Sequence, residues 1–446
     1  MSGIVVTKDS PVVVCPSEME RRTPPPPTGD TVALSSFDSG TLPFPVTALL
    51  VFSHTIDKPA ETIKGALSRA LAYYRPIAGR LDGDGSGIVC TGEGIAFVAA
   101  SASCTLEDAI MDSLPQMDLA VRYPGLLCGG EEPLLLVQVT EFLCGGFIVG
   151  VTWNHVLADA AGMAQFLQAV GELARGVSPP PSVMPIRSWD DGLVIPSLSS
   201  SLLATMKSMI EHKHQPMARL DIVVPYDLIS CIKDGEFGGC NGEPCTVFEA
   251  VVAVLWRCRT RAALSAGDPE SPAPLTFTCN VRTHVGVPVG YYGNCVAMPV
   301  IPATVGVVAN SGIGDIVALI RRTKEKVLDL LSTRSGDGGS SLMAAHQGRP
   351  PLWYEVLGVS SWRNLGLDAT DFGAGAPARV LSHAERAMVP GFVVCPPRRR
   401  AGRDDGVGVD VSSTFVKQEH VDAFLGELAR LSASDDISSP ANNTAD

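Results

Sequence analysis

The chain has 446 residues, 46% of them apolar and 18% charged, a balance that fits a large globular interior and excludes a fibrous chain or a small stapled module. With 34 Lys and Arg against 47 Asp and Glu the net charge is −13, so no global positive field gathers nucleic acid or anionic lipid, and a phosphate-bearing ligand needs a local basic patch. The 12 cysteines form no C-x-x-C pair, and those in apolar runs, such as Cys144, Cys279 and Cys395, read as buried thiols in a reducing compartment.

The apolar start at residues 1–8 is too short for a signal peptide, and no later run reaches the roughly 18 apolar residues of a membrane span. The last residues match neither a peroxisomal nor an ER-retention ending, so a cytoplasmic protein is expected. Residues 12–15 read as a short strand, and the prolines at 24–27 as a stiff connector excluded from a sheet interior. Residues 46–52 suit a buried strand. From 60 to 74, Ile63, Leu67, Leu71 and Tyr74 recur at helical spacing until Pro76 stops the helix. Two β-rich runs, 134–140 and 147–153, joined through Cys144-Gly-Gly146, predict a hairpin, and Met163, Phe166, Leu167, Val170 and Leu173 give the next helix one apolar face.

Proline- and serine-rich chain over 176–204 reads as a linker between a first domain, 1–175, and a second, 205–431. In the second, helices are expected at 246–263, 313–331 and 418–431 and strands at 275–279, 392–395 and 407–412. A glycine-bearing loop, Gly290-Tyr-Tyr-Gly-Asn294, lies between them. Tyr291, Tyr292, Tyr73 and Tyr74 read as packing aromatics, and residues 432–446 as a polar tail.

Chemistry can be sought in few places. His155 follows an apolar strand, where a sheet end exposes side chains on a rigid frame, and a neutral imidazole there can accept a proton from a hydroxyl or amine. Asp159, four residues on, can orient that imidazole, cap the next helix or satisfy a buried arginine. Near the C-terminus, Asp371-Phe-Gly-Ala-Gly375 combines a carboxylate with two glycines suited to positive φ. It is not a kinase motif, since no H-R-D loop accompanies it. His212 and His214 lack companion metal ligands and read as surface residues.

The H-x-x-x-D of His155 and Asp159 in mid-chain and the D-F-G-x-G of Asp371 to Gly375 resemble the motifs of the BAHD acyltransferases. So do Leu67-Ser-Arg-Ala-Leu-Ala-Tyr-Tyr-Arg-Pro-Ile-Ala-Gly-Arg-Leu81 and Asn280-Val-Arg282 with Gly290-Tyr-Tyr-Gly-Asn294, in the family's order over about residues 12–424. The resemblance implies an α/β fold of two chloramphenicol-acetyltransferase-like domains, with mixed sheets flanking a central channel and His155 midway along it. It implies that Asp159 turns away from the channel toward an arginine, and that Asp371, with Gly373 and Gly375, braces the fold with Arg282 as its partner.

The implied reaction moves an acyl group, aromatic (hydroxycinnamoyl or benzoyl) ahead of acetyl or malonyl, from acyl-CoA to a hydroxyl or amine of a small plant metabolite. His155 is the general base, no covalent intermediate forms, and acyl-CoA is a co-substrate beside which no bound cofactor or metal is needed. Arg398, Arg399 and Arg400 form the densest basic cluster and are candidates for the phosphates of coenzyme A, the alternative being a solvated loop. A monomer with neither nucleic-acid nor membrane partners is expected. One departure stands out: Ala374 replaces the family's tryptophan, which can alter acyl selectivity or local packing, and which keeps a non-catalytic binding protein as the competing reading.

Overall fold

The computed structural model describes residues 4–18, 29–112, 118–177, 181–189, 217–234, 245–332, 353–383, 390–399 and 408–433. The polyproline run, His212, His214, Arg400 and the polar tail from 434 on lie outside them.

The expected hairpin is the centre of the first sheet. Gly145 turns the chain at a φ of 84°, a left-handed geometry that glycine adopts without strain, and Leu135–Glu141 and Phe147–Asn154 pair antiparallel on either side. Both strands are buried on both faces, which their near-continuous apolar sequence permits. The sheet runs Val6–Lys8, Ile95–Ala102, Leu135–Glu141, Phe147–Asn154, Pro45–Phe52 and Arg379–Ser382, with Val12–Val14 also on Ile95–Ala102. Helices Pro59–Leu71 and Ala160–Ala174 cover one face, and Leu67, Phe166 and Leu167 join Leu50, Val149 and Val151 in a single core. The first of these helices ends before residue 74, because Pro76 sits in a separate 3-10 turn, Arg75–Ala78.

The second sheet runs Met217–Pro225, Gly408–Lys417, Gly391–Val394, Leu357–Ser361, Leu275–Phe277 and Val300–Ile301. It is mixed, since Leu357–Ser361 is parallel to both neighbours while the outer pairs are antiparallel. Trp256, Ile320 and Phe424, from helices Val247–Ala263, Ile313–Ser332 and Val421–Ala433, pack on Leu357, Phe392 and Val411 to make the second core.

The halves of the chain interlock. Strand Arg379–Ser382 belongs to the later half yet closes the first sheet against Pro45–Phe52, and the first core takes Tyr292, Trp362 and Phe372 from that half. Within the stretch expected to be linker, Ile186 is tied down: its N–H donates to the Gly290 carbonyl at 2.8 Å and its own carbonyl accepts from Tyr292 at 3.0 Å. Cys279 and Cys395 are buried free thiols, whereas Cys144 is exposed, because the hairpin turn that carries it points outward. No described helix is long and apolar enough to cross a membrane.

The Asp371 loop is a brace. One carboxylate oxygen accepts from the N–H groups of Gly373 and Gly375 at 2.7 and 2.9 Å, both glycines have positive φ, and Arg175 lies 3.5 Å from the other oxygen. The loop rests on helix Ala160–Ala174 at Gly171, where an added Cβ would collide with the Asp371 carbonyl. Ala374, 8% exposed, points into the first core with Phe372. It is absent from the cavity wall described below, so its small size is a matter of packing. Ala374→Trp is therefore expected to overpack this core and destabilise the fold by ~1–3 kcal/mol, depressing turnover of aromatic and acetyl donors alike. Denaturant midpoints measured beside donor ratios check this, and a stable variant with a changed donor ratio would contradict it.

Candidate active site

Where the sheets face each other they leave a cavity of about 440 Å3, walled by Thr47 and Thr152 from the first sheet, Thr276 and Ser360 from the second, and His155. The strand Phe147–Asn154 ends at the cavity edge, and the next residue is His155. Its N–H donates to the Phe44 carbonyl at 2.9 Å, its ring lies 4.7 Å from the Phe44 ring, and its carbonyl accepts from Asn294 Nδ2 at 2.8 Å. Nδ1 is buried without a hydrogen-bond partner. Burial lowers the imidazole pKa from its ordinary value, against the opposing charge of Asp159. The group is thus a neutral base at neutral pH.

Asp159 does not orient the imidazole. One oxygen caps helix Ala160–Ala174 by accepting from the Gly162 N–H at 2.9 Å. Arg282 grips both oxygens, each at 2.8 Å, and the Cys295 N–H donates to one of them at 2.9 Å. The cap and the buried ion pair, alternatives in the sequence, are both present. Arg282 was expected to pair with Asp371. The structure corrects this: Arg175, at the end of the helix against which the Asp371 loop packs, is the partner of Asp371, while Arg282 crosses to Asp159.

A second buried carboxylate went unnoticed in the sequence. Asp38 is 0% exposed; its Oδ2 accepts from Arg187 at 2.9 Å and from the Ser35 hydroxyl at 2.7 Å, and its Oδ1 from the backbone and side chain of Asn294 at 2.9 and 2.8 Å. Since the same Asn294 amide donates to the His155 carbonyl, Asp38 fixes the backbone that carries His155. The only sequence signals were Ser35 three residues before Asp38, a capping pattern, and the Asn294 that closes the glycine-bearing loop.

Arg398 and Arg399 of the basic cluster are not part of the cavity wall. Arg398 donates to both oxygens of buried Asp410 at 2.5 and 2.6 Å, so its guanidinium is engaged within the protein. Arg399, half exposed, reaches Asp368 at 3.3 Å. Removing one partner of a buried ion pair leaves the other charge uncompensated. Asp159→Asn should therefore cost about 3–5 kcal/mol of stability, and Asp371→Asn, whose pair with Arg175 is about one-third exposed, distinctly less. Unfolding midpoints of the two variants test the order, and equal losses would contradict it.

A model of the Transferase family matches residues 5–427. Acyl transferase 15 of Oryza sativa subsp. japonica is 42% identical, with 97% of this chain and 99% of the relative covered. Myricetin 3-O-glucosyl 1,2-rhamnoside 6'-O-caffeoyltransferase AT2 of Crocosmia x crocosmiiflora is 33% identical over 96% of this chain and 99% of the relative. Among solved structures, vinorine synthase superposes with a TM-score of 0.74 at 20% identity, over 96% of this chain and 98% of that one, which shows a shared fold. With the two-sheet fold, the cavity between the sheets and His155 at its wall, these matches show that the chain belongs to the Transferase family of BAHD acyltransferases and is an acyl-CoA-dependent acyltransferase.

Proposed function

We propose that this transferase moves an aromatic acyl group, of the hydroxycinnamoyl or benzoyl class, from coenzyme A to a hydroxyl or amine of a small plant metabolite, with His155 as general base and no acyl-enzyme intermediate. The observation that carries the reading is the neutral, half-buried imidazole at the wall of a cavity open to both sheets. A thioester is already activated, so the protein needs to align it and to manage one proton. Nε2 of His155 takes the acceptor proton as the oxygen or nitrogen attacks the thioester carbonyl. The tetrahedral centre then collapses with cleavage of the C–S bond, and the imidazolium returns the proton to the departing thiolate, releasing coenzyme A as the thiol. The aromatic donor is supported by the caffeoyltransferase name of a relative. The small metabolite acceptor is in keeping with the cavity volume.

His155→Ala should leave a folded protein with kcat lowered about 10²–10⁴-fold, the usual contribution of a general base. Because burial disfavours the imidazolium, only an acid limb is expected in kcat/KM against pH. Activity falls as pH drops through an apparent pKa below the ordinary ~6.5 and is level through neutrality. A panel of thioesters and acceptors read by mass spectrometry, with the pH profile of the best pair, checks both. Activity of His155→Ala within about tenfold of the parent, below the general-base range, would overturn the assignment.

A further inference from the structure

The second sheet has two unlike faces. Phe277, Leu357, Val359, Phe392 and Phe415 pack with the helices, so the alternate positions Thr276, Gly358, Gly391 and Thr414 look the other way, and all four form cavity wall. Register places them in one row: Thr276 lies opposite Gly358, Gly358 opposite Gly391, and Gly391 opposite Thr414. The threonines stand three strand spacings apart, roughly 14 Å at ~4.8 Å each. Between them two glycines leave backbone without side chains, a strip on which a planar ring can lie, with Thr414 at one edge and, at the other, Thr276, whose hydroxyl donates to the Pro299 carbonyl at 3.0 Å.

An independent feature of the same wall points to a polar group on that ring. His383 follows the strand Arg379–Ser382, and its N–H donates to the Thr47 carbonyl at 2.9 Å. It is 6% exposed and lines the cavity, and its Nε2 has no hydrogen-bond partner. Burial, then the charges of Arg219 and Arg122, push its pKa down to about 3, with Asp118 opposing and Lys8 reinforcing the fall. The ring is therefore neutral, with one N–H and one lone pair, suited to a hydroxyl. A buried imidazole nitrogen without a partner in the protein takes one from outside it, a water or a ligand group that enters the cavity.

We propose that the Gly358–Gly391 row is the bed for a planar phenolic group of the substrate, and that His383 is the hydrogen-bond partner of its hydroxyl. This rests on the transferase reading above and narrows its substrate class. The phenolic group can arrive on the acyl donor or on the acceptor, and binding of each alone separates the two. The probes are p-coumaroyl-CoA, cinnamoyl-CoA, acetyl-CoA and 4-hydroxycinnamyl alcohol, each titrated by calorimetry without a co-substrate into the parent, Gly391→Val, Gly391→Ala and His383→Leu, with melting temperatures alongside.

For a donor-borne ring, Gly391→Val weakens both aromatic thioesters relative to acetyl-CoA by about tenfold or more, and Gly391→Ala does so to a smaller degree. His383→Leu abolishes the advantage of p-coumaroyl-CoA over cinnamoyl-CoA. For an acceptor-borne ring, the alcohol suffers these losses and the thioester ratios stay put. Unchanged affinities for thioesters and alcohol in a folded Gly391 variant, together with an unchanged p-coumaroyl preference in His383→Leu, overturn the proposal. Since binding is read without turnover, an inactive parent that binds as described would refute only the proposed reaction, and an active parent with unaltered affinities would refute only the ring bed.

Discussion

The carboxylate of Asp159 is the joint on which the site depends. It accepts from the N-terminus of the helix that follows His155, from both terminal nitrogens of Arg282, and from the Cys295 N–H. These donors come from segments more than a hundred residues apart, and Arg282 also donates to the Gly293 carbonyl at 2.7 Å. Asp38 does the same from the other side, binding Asn294 through both backbone and side chain. His155 is caught between the two anchors, with its N–H on Phe44 and its carbonyl on Asn294. Its position is therefore imposed through the backbone, and the imidazole is left without an obligatory protein partner at Nε2.

That arrangement also explains why the His155 imidazole is neutral. A carboxylate hydrogen-bonded to the ring would favour the imidazolium and raise its pKa. Here the nearest one is turned toward an arginine, so its charge is largely compensated and burial prevails. The sequence left the cap, the ion pair and the triad open because all three demand a carboxylate at this spacing. Geometry decides: the first residue before a helix aims its side chain along the helix axis at the N2 and N3 amides, away from the end of the preceding strand.

Elements with strong apolar periodicity were legible. The hairpin and the helices Ala160–Ala174 and Val247–Ala263 lie close to where the pattern puts them. The missed strands are short or chemically mixed, and the reason is functional. Leu357–Ser361 alternates core residues with glycine and serine because one face looks into the cavity, whereas Gly391–Val394 lies within one residue of the strand expected at 392–395. Gly408–Lys417 extends past the expected end at residue 412, since Ser413 and Thr414, polar as they are, continue the ladder. Arg379–Ser382 could not be assigned to the first sheet by any local signal, because its partner Pro45–Phe52 lies more than three hundred residues earlier.

His155 was legible because a strand end carries its own positional meaning. Asp38 was not, because Ser35 and Asp38 look like an ordinary capping pair until Arg187 arrives from a stretch whose composition suggests linker. Arg398 and Arg399 show how charge density in a sequence differs from its setting in the fold. Arg398 and Arg399 are adjacent in the chain, yet each is met by a carboxylate, Asp410 and Asp368. Asp410 also lies 3.6 Å from Arg379, which is in turn 3.6 Å from Asp221. In a chain of net charge −13, buried carboxylates are numerous enough to claim nearby guanidiniums, and desolvation makes those pairings hard to forgo. The Arg398–Asp410 pair therefore serves the fold first, whatever else the neighbouring basic residues meet.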